Sequence, residues 1–224
     1  MADEFPSAKV IATHITPSQP NFVPPNVEFQ IDDATMDRTF EPESFDFIHI
    51  RYLQGTVDDW DKLYSRVYKF LKPGGWFDHI EPDLQMYSQN PDVKVDDEHI
   101  YTRRAKIFES VGEKINRTFN FSNGKLQTLA ETANFTNITS QTHKVPVGHW
   151  PKDKRKKEIG TFVRLSFSQA LDRFVKLPLC EIWKWSPEEM QVFAAEMRRK
   201  IMNLRKQTVG HVFSVYGQKL EGPK

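Results

Sequence analysis

The chain has 224 residues, which is enough for one domain with a well-filled core. Charged residues make up 27% of it and the formal net charge is +1, so no bulk field argues for binding to nucleic acid or to a membrane. The single cysteine, Cys180, excludes an internal disulfide and predicts a cytoplasmic protein in a reducing compartment.

The first half of the sequence alternates short β-branched runs with one helical pattern. Strands are predicted at residues 8–13, 27–31, 45–50 and 76–80. A helix is expected to begin at Asp58 or Asp59 and to end at the Pro-Gly-Gly of residues 73–75. Its buried stripe is predicted at Trp60, Leu63, Tyr64, Val67, Phe70 and Leu71. This alternation of strand and helix indicates a parallel sheet covered by helices.

The second half is richer in helical patterns. Helices are predicted near residues 97–115, 125–134, 158–174 and 187–206, and strands at 136–145 and 211–217. The basic run at residues 152–157 is either a nuclear-targeting or interaction patch or a solvated loop, and the solvated loop is favoured. Trp150, Trp183 and Trp185 are expected to pack in the core rather than to line an acceptor pocket.

Ligands of parallel α/β sheets bind outside the carboxyl ends of the strands. The candidate residues at that rim are His14, Asp32, Asp33, residues 49–52 and residues 81–83. The histidines show no spacing typical of a metal site, with each other or with Cys180. The rim is therefore the place where the sequence predicts chemistry.

Several segments, taken in order, carry a resemblance to a known family. They are Val10-Ile-Ala-Thr, Ile31-Asp-Asp, Phe45-Asp-Phe-Ile-His-Ile-Arg-Tyr-Leu, Leu71-Lys-Pro-Gly-Gly-Trp-Phe, Glu81-Pro-Asp, Val145-Pro-Val-Gly-His-Trp-Pro and Val215-Tyr-Gly-Gln-Lys. The Leu-Lys-Pro-Gly-Gly run is common to many class I methyltransferases, and the combination resembles the LaeA-like fungal methyltransferases. The resemblance implies an α/β, Rossmann-like sheet with helices on both faces and S-adenosylmethionine as the cofactor.

The same resemblance implies roles for five residues of the cofactor side. His14 stands where the family has an acidic residue that accepts hydrogen bonds from both ribose hydroxyls, and a neutral histidine offers only one acceptor. Asp32 and Asp33 are expected at the adenine edge, with a solvated turn as the alternative. Arg51 and Tyr52 are expected at the methionine end, where the Tyr52 ring faces the sulfonium; the alternative is an exposed strand end.

Glu81 and Asp83 are the candidates on the acceptor side. A carboxylate at this position could orient or deprotonate a nitrogen or oxygen acceptor. Methyl transfer is an in-line displacement, so alignment supplies much of the rate and a base is not always needed. The alternative, which is favoured, is a turn enforced by Pro82.

The resemblance also predicts how the chain is organised. Residues 1–83 would form the cofactor half of one partial methyltransferase domain, and residues 84–224 the helical acceptor-side insertions and the last strands. The sequence is expected to lack the family's first strand and Gly-rich loop. The acceptor would be a small metabolite or a protein, and the LaeA-like group is linked with velvet-type protein partners. The rival hypothesis is a catalytically inactive scaffold or regulatory subunit that binds a protein partner.

Overall fold

The computed structural model describes residues 1–17, 22–36 and 40–221. The chain divides into two compact units, Met1–Pro42 and Glu43–Lys224. In the first unit, strand β1 (Val10–His14) pairs in parallel with strand β2 (Val27–Ile31). Both strands lie within one or two residues of their predicted positions. The Asn26 side chain donates to backbone carbonyls of the segment before β1, at 3.0–3.2 Å, and holds that segment against the start of β2.

The second unit contains a four-stranded sheet in the order β3-β4-β6-β5. Its strands are β3 (Phe45–Arg51), β4 (Leu71–Ser88), β5 (Thr136–Pro146) and β6 (Thr208–Gln218). The β3–β4 pair is parallel, as predicted for the first half of the chain. Strand β6 runs antiparallel to both β4 and β5, so the sheet of this unit is mixed.

Strand β4 is longer than predicted. The sequence places a strand at residues 76–80 and favours a turn at Pro82, but the strand continues past Pro82 to Ser88. Its pairing with β6 shifts between Pro82 and Met86, which is a bulge. Proline has no N–H to donate to a ladder and is tolerated at such irregularities. The prediction of a turn is therefore wrong, and residues 81–83 belong to an irregular strand.

Five α-helices complete the described part of the second unit: α1 (Trp60–Phe70), α2 (Ile100–Ile115), α3 (Lys125–Thr132), α4 (Lys154–Lys176) and α5 (Pro187–Met202). Five of the six residues of the predicted stripe are buried on α1, and the sixth, Leu71, is buried at the start of β4. Asp59 caps the helix by accepting from the Lys62 amide. Helix α4 begins four residues earlier than predicted because Asp153 caps it, so the basic run enters the first helical turn. It continues into a π-helical turn, Leu177–Ile182.

The two faces of the four-stranded sheet differ in burial. Phe77 and His79 of β4 are fully buried, and Tyr64 of α1 packs edge-on to Phe77 with ring centroids 5.6 Å apart. On the opposite face, three aromatic residues are 36–40% exposed: Phe47, Trp76 and Tyr216. The predicted α/β architecture of a sheet packed with helices is confirmed, and these three aromatics remain partly exposed. No helix in the described part of the chain is long and apolar enough to cross a membrane.

Candidate functional site

In the first unit, the strand ends bring His14 and Asp32 together. The Asp32 amide donates to the His14 carbonyl at 3.1 Å, which extends the β1–β2 pairing by one residue. The ring nitrogen Nδ1 of His14 faces the Thr16 backbone, 3.1 Å from its amide nitrogen. Nε2 makes no hydrogen bond to the described residues, so His14 offers a ligand this one nitrogen.

Asp33 has a local role in the same unit. One of its carboxylate oxygens accepts from both the amide and the hydroxyl of Thr35, each at 2.8 Å. This is an Asx turn, in which an aspartate side chain caps the backbone two residues further on. The sequence analysis gave a turn after β2 as the alternative to adenine binding. The structure contains this turn at Asp33.

In the second unit, Arg51 and Tyr52 lie where β3 ends. The Tyr52 amide donates to the Ile80 carbonyl at 3.1 Å, and this bond keeps the end of β3 beside β4. Tyr52 has a φ of 58°, in the left-handed region that residues other than glycine rarely adopt. Its side chain is 60% exposed. A strained backbone with an exposed aromatic ring is a common feature of binding sites, although it does not identify the ligand.

The Glu81 carboxylate fixes the backbone turn that follows Tyr52. It is fully buried, and its two carboxylate oxygens accept from the amides of Leu53 (2.6 Å) and Gln54 (3.2 Å). The sequence prediction put this carboxylate beside the acceptor. The structure instead places both of its oxygens on the backbone of the residues that follow Tyr52.

A buried chain of hydrogen bonds continues behind Glu81. The Nε2 atom of His79 lies 3.1 Å from the Glu81 carboxylate, and its Nδ1 atom lies 2.8 Å from the Tyr64 hydroxyl. Burial, with smaller contributions from the Glu81 and Asp78 charges, raises the pKa of Tyr64, so its hydroxyl keeps its proton and donates to His79. His79 then donates from Nε2 to Glu81. Every polar atom of this Tyr64–His79–Glu81 chain has a partner.

Sequence reasoning missed His79 and assigned Tyr64 only to the core. Both residues satisfy the apolar periodicity of a buried face, so their polar atoms gave no separate signal. One signal was present: His79 and Glu81 are two residues apart in a strand, and side chains at that spacing point to the same face. A histidine and a glutamate on a buried face predict a polar pair.

Asp83 lies beyond the chain of buried bonds and has different partners. Its carboxylate accepts from the Gln85 amide at 3.0 Å and from the Tyr87 hydroxyl at 3.2 Å. The Nδ1 atom of His211, on β6, lies 3.7 Å from the same carboxylate. The Asp83 side chain is 7% exposed and that of His211 is 21% exposed. Asp83 therefore lies in a polar group that borders solvent.

We expect Tyr87 to make the second unit less stable in alkali. Burial, together with the Asp83 charge and the hydrogen bond to Asp83, raises the pKa of Tyr87 from 10.0 to about 12. The unfolded chain loses this proton near pH 10 and the folded chain only near pH 12, so stability is complete below pH 10 and is lost between the two values. Urea midpoints of the wild type and of Tyr87→Phe, measured at pH 8 and pH 11 (about one unit above the tyrosine reference), check this. The wild type should lose more stability than the variant, and equal losses would contradict the expectation.

Comparison with known proteins places the chain among methyltransferases. A family model described as a methyltransferase domain matches residues 2–140. The methyltransferase pytC of Aspergillus terreus is 34% identical over 203 residues, which are 90% of this chain and 61% of pytC. The laeA protein of Emericella nidulans, named a protein-methionine methyltransferase and a secondary metabolism regulator, is 25% identical over 91% of this chain and 54% of laeA.

A solved structure shares the fold. The YcgJ protein from Bacillus subtilis superposes with a TM-score of 0.54 at 16% identity, over 99% of this chain and 87% of YcgJ. This similarity supports the α/β architecture and nothing more specific. The chain spans 61% of pytC and 54% of laeA, so these relatives are considerably longer than the sequence described.

Proposed function

Because this chain belongs to the methyltransferase-domain family, whose cofactor is S-adenosylmethionine, we propose that it transfers a methyl group from that cofactor to an acceptor of fungal secondary metabolism. The family match over residues 2–140 is the observation that carries the proposal, because it includes all seven predicted site residues from His14 to Asp83. The names of pytC and laeA support the link with fungal secondary metabolism.

At the tips of β1 and β2, Asp32 suits the nucleoside of this cofactor, whereas His14 suits it less well. Asp32 adjoins His14 across the two strand ends, and a carboxylate there suits the exocyclic amine of adenine or a ribose hydroxyl. His14 provides one ring nitrogen where an acidic residue would accept from two hydroxyls at once. Asp33 is engaged with Thr35, so we assign it the role of shaping the turn.

In the second unit, the Tyr52 ring is the side chain suited to a sulfonium, since aromatic faces attract cations. When bound, the cofactor supplies a methyl group activated by a positively charged sulfur. Glu81 positions the turn that carries Tyr52, and Arg51 adds a cation at the end of β3. Asp83 is assigned to the acceptor side, where it meets a histidine and a tyrosine.

The rival function is a protein that keeps the fold without catalysis and binds a protein partner. One observation favours it: His14 offers one ring nitrogen in place of a carboxylate, which lowers the expected affinity for a nucleoside. Titration calorimetry of the chain with S-adenosylhomocysteine separates the two functions. Binding with 1:1 stoichiometry supports the methyltransferase, and the absence of heat at millimolar cofactor supports the scaffold.

We expect His14→Glu to bind S-adenosylhomocysteine about tenfold more tightly than the wild type. The new carboxylate can accept from two ribose hydroxyls, and hydrogen bonds to a charged group contribute about 1.5–3 kcal/mol. His143→Glu is the matched control, since His143 lies on β5 of the second unit and should leave the affinity unchanged. An affinity that is unchanged or weaker in His14→Glu would remove His14 from the nucleoside site.

A further inference from the structure

Four polar side chains meet at the bulge of β4. Asp83 and Tyr87 come from β4 itself, His211 from β6 and Arg104 from α2. Asp83 accepts from the Tyr87 hydroxyl at 3.2 Å, and His211 Nδ1 lies 3.7 Å from the same carboxylate. The rings of Tyr87 and His211 are 4.5 Å apart and tilted by 32°, so Tyr87 supports the imidazole on one face.

Arg104 places a positively charged side chain near Asp83. Its guanidinium donates to the Leu84 carbonyl and lies over the Phe108 ring, 5.3 Å from the ring centroid. Burial lowers the pKa of Arg104 to about 10, while the Asp83 charge acts to raise it. The partly buried Arg104 thus lies close enough for its charge to act on Asp83. The Asp83 carboxylate can accept a hydrogen bond from His211.

The two ring nitrogens of His211 have different surroundings. Nδ1 faces Asp83, whereas Nε2 has no hydrogen-bond partner among residues 1–17, 22–36 and 40–221. A carboxylate beside Nδ1 favours the tautomer that carries hydrogen on that nitrogen, which leaves the lone pair on Nε2. The separation of 3.7 Å is longer than a hydrogen bond, and such contacts commonly tighten when substrate binds.

The group lies at the edge of the sheet where ligands of parallel α/β folds bind. Residues 209–212 of β6 pair with β4 around the bulge, at the carboxyl end of β4. The Gln54 side-chain amide, in the orientation that satisfies both of its ends, donates to the Pro82 carbonyl at 3.1 Å. The turn that carries Tyr52 is therefore joined to the residue directly before Asp83.

We infer that His211 removes a proton from a hydroxyl acceptor, with Asp83 positioning its ring, an inference that rests on the proposed methyltransferase function. The acceptor oxygen forms a bond to the methyl carbon, and the carbon–sulfur bond breaks with its electron pair returning to sulfur. The hydroxyl proton goes to Nε2 of His211 and then to water. A thioether acceptor such as methionine has no proton to lose and requires no such base. The chemistry thus points to a phenol-like hydroxyl rather than to the protein methionine named for laeA.

A kinetic experiment tests this inference. The full chain is incubated with methyl-labelled S-adenosylmethionine and three probe acceptors: catechol, benzylamine and a methionine-containing peptide. We expect catechol to be methylated and His211→Gln to lower kcat at least about 100-fold, as for loss of a general base. S-adenosylhomocysteine affinity should stay within about twofold of the wild type, because His211 is not assigned to the cofactor. The control His143→Gln changes a histidine on the neighbouring strand and should retain the wild-type rate.

A second measurement does not depend on turnover. Nitrogen-15 NMR of the imidazoles should show His211 at pH 7.5 as the tautomer with hydrogen on Nδ1, and Asp83→Asn should lose that preference. Exclusive methylation of the peptide or the amine, an unchanged rate in His211→Gln, or hydrogen on Nε2 of His211 would each overturn the inference. A chain that does not bind S-adenosylhomocysteine would instead contradict the proposed function, and the tautomer would still decide whether Asp83 positions His211.

Discussion

Replacing Glu81 by alanine is expected to lower the free energy of unfolding of the second unit by about 3–5 kcal/mol. The change leaves three donors without their acceptor: the part-buried amides of Leu53 and Gln54 and the buried Nε2–H of His79. Each donor left without a partner costs about 1–3 kcal/mol, with the two part-buried amides near the low end, so the three together cost about 3–5 kcal/mol. Urea unfolding followed by tryptophan fluorescence measures the loss, because the Trp60 ring stacks on His79 at 5.2 Å.

Two variants show whether the buried chain of bonds is the cause. Asp46→Ala removes an exposed carboxylate that pairs with Lys72, and such surface pairs contribute at most about 1 kcal/mol. Tyr64→Phe removes one donor at the far end of the chain and should cost about 1 kcal/mol. If Glu81→Ala were no more destabilising than Asp46→Ala, the carboxylate could not be holding the turn.

Glu81→Gln, which keeps one acceptor oxygen, should fold and bind S-adenosylhomocysteine more weakly than the wild type.

The elements with strong local signals could be predicted from the sequence. The predicted stripe of α1 is the buried face of the helix, and Asp59 is its cap. Strand β2 has the predicted bounds, because Val27 to Ile31 alternate between apolar and polar residues and are bounded by turn residues. These features depend on periodicity and capping, which are properties of neighbouring residues.

The roles of the site residues could not be predicted in the same way, because they depend on long-range pairing. Asp83 and His211 are far apart in sequence, and only the antiparallel insertion of β6 beside β4 brings them together. The bulge lies in the β4–β6 pairing, and the local sequence signals it only through Pro82, which instead predicted a turn. The two carboxylates of Glu81-Pro-Asp83 looked equivalent, yet one is buried under a turn and the other borders solvent.

Replacing Gly55 by alanine is expected to cost about 2–4 kcal/mol and to disturb the turn that carries Tyr52. Gly55 has a φ of +71°, and its amide donates to the Thr118 carbonyl at 2.7 Å. An added Cβ would lie 2.1 Å from a ring carbon of Phe119, which itself packs against Leu84, Ala105 and Phe108. The left-handed backbone costs an ordinary residue about 1–2 kcal/mol, and overpacking a filled site costs a further 1–3 kcal/mol.

Gly124→Ala separates these two costs. Gly124 has nearly the same φ, +76°, but no atom lies within 4 Å of its added Cβ, so this variant should lose only about 1 kcal/mol. The excess in Gly55→Ala measures the collision with Phe119, and shortening that residue to leucine in the double variant should recover part of it through coupling between the sites. Equal losses in the two alanine variants would mean that the 117–119 segment moves aside freely. In that case Phe119 could not support the turn, and Glu81 alone would hold Leu53 and Gln54 in place.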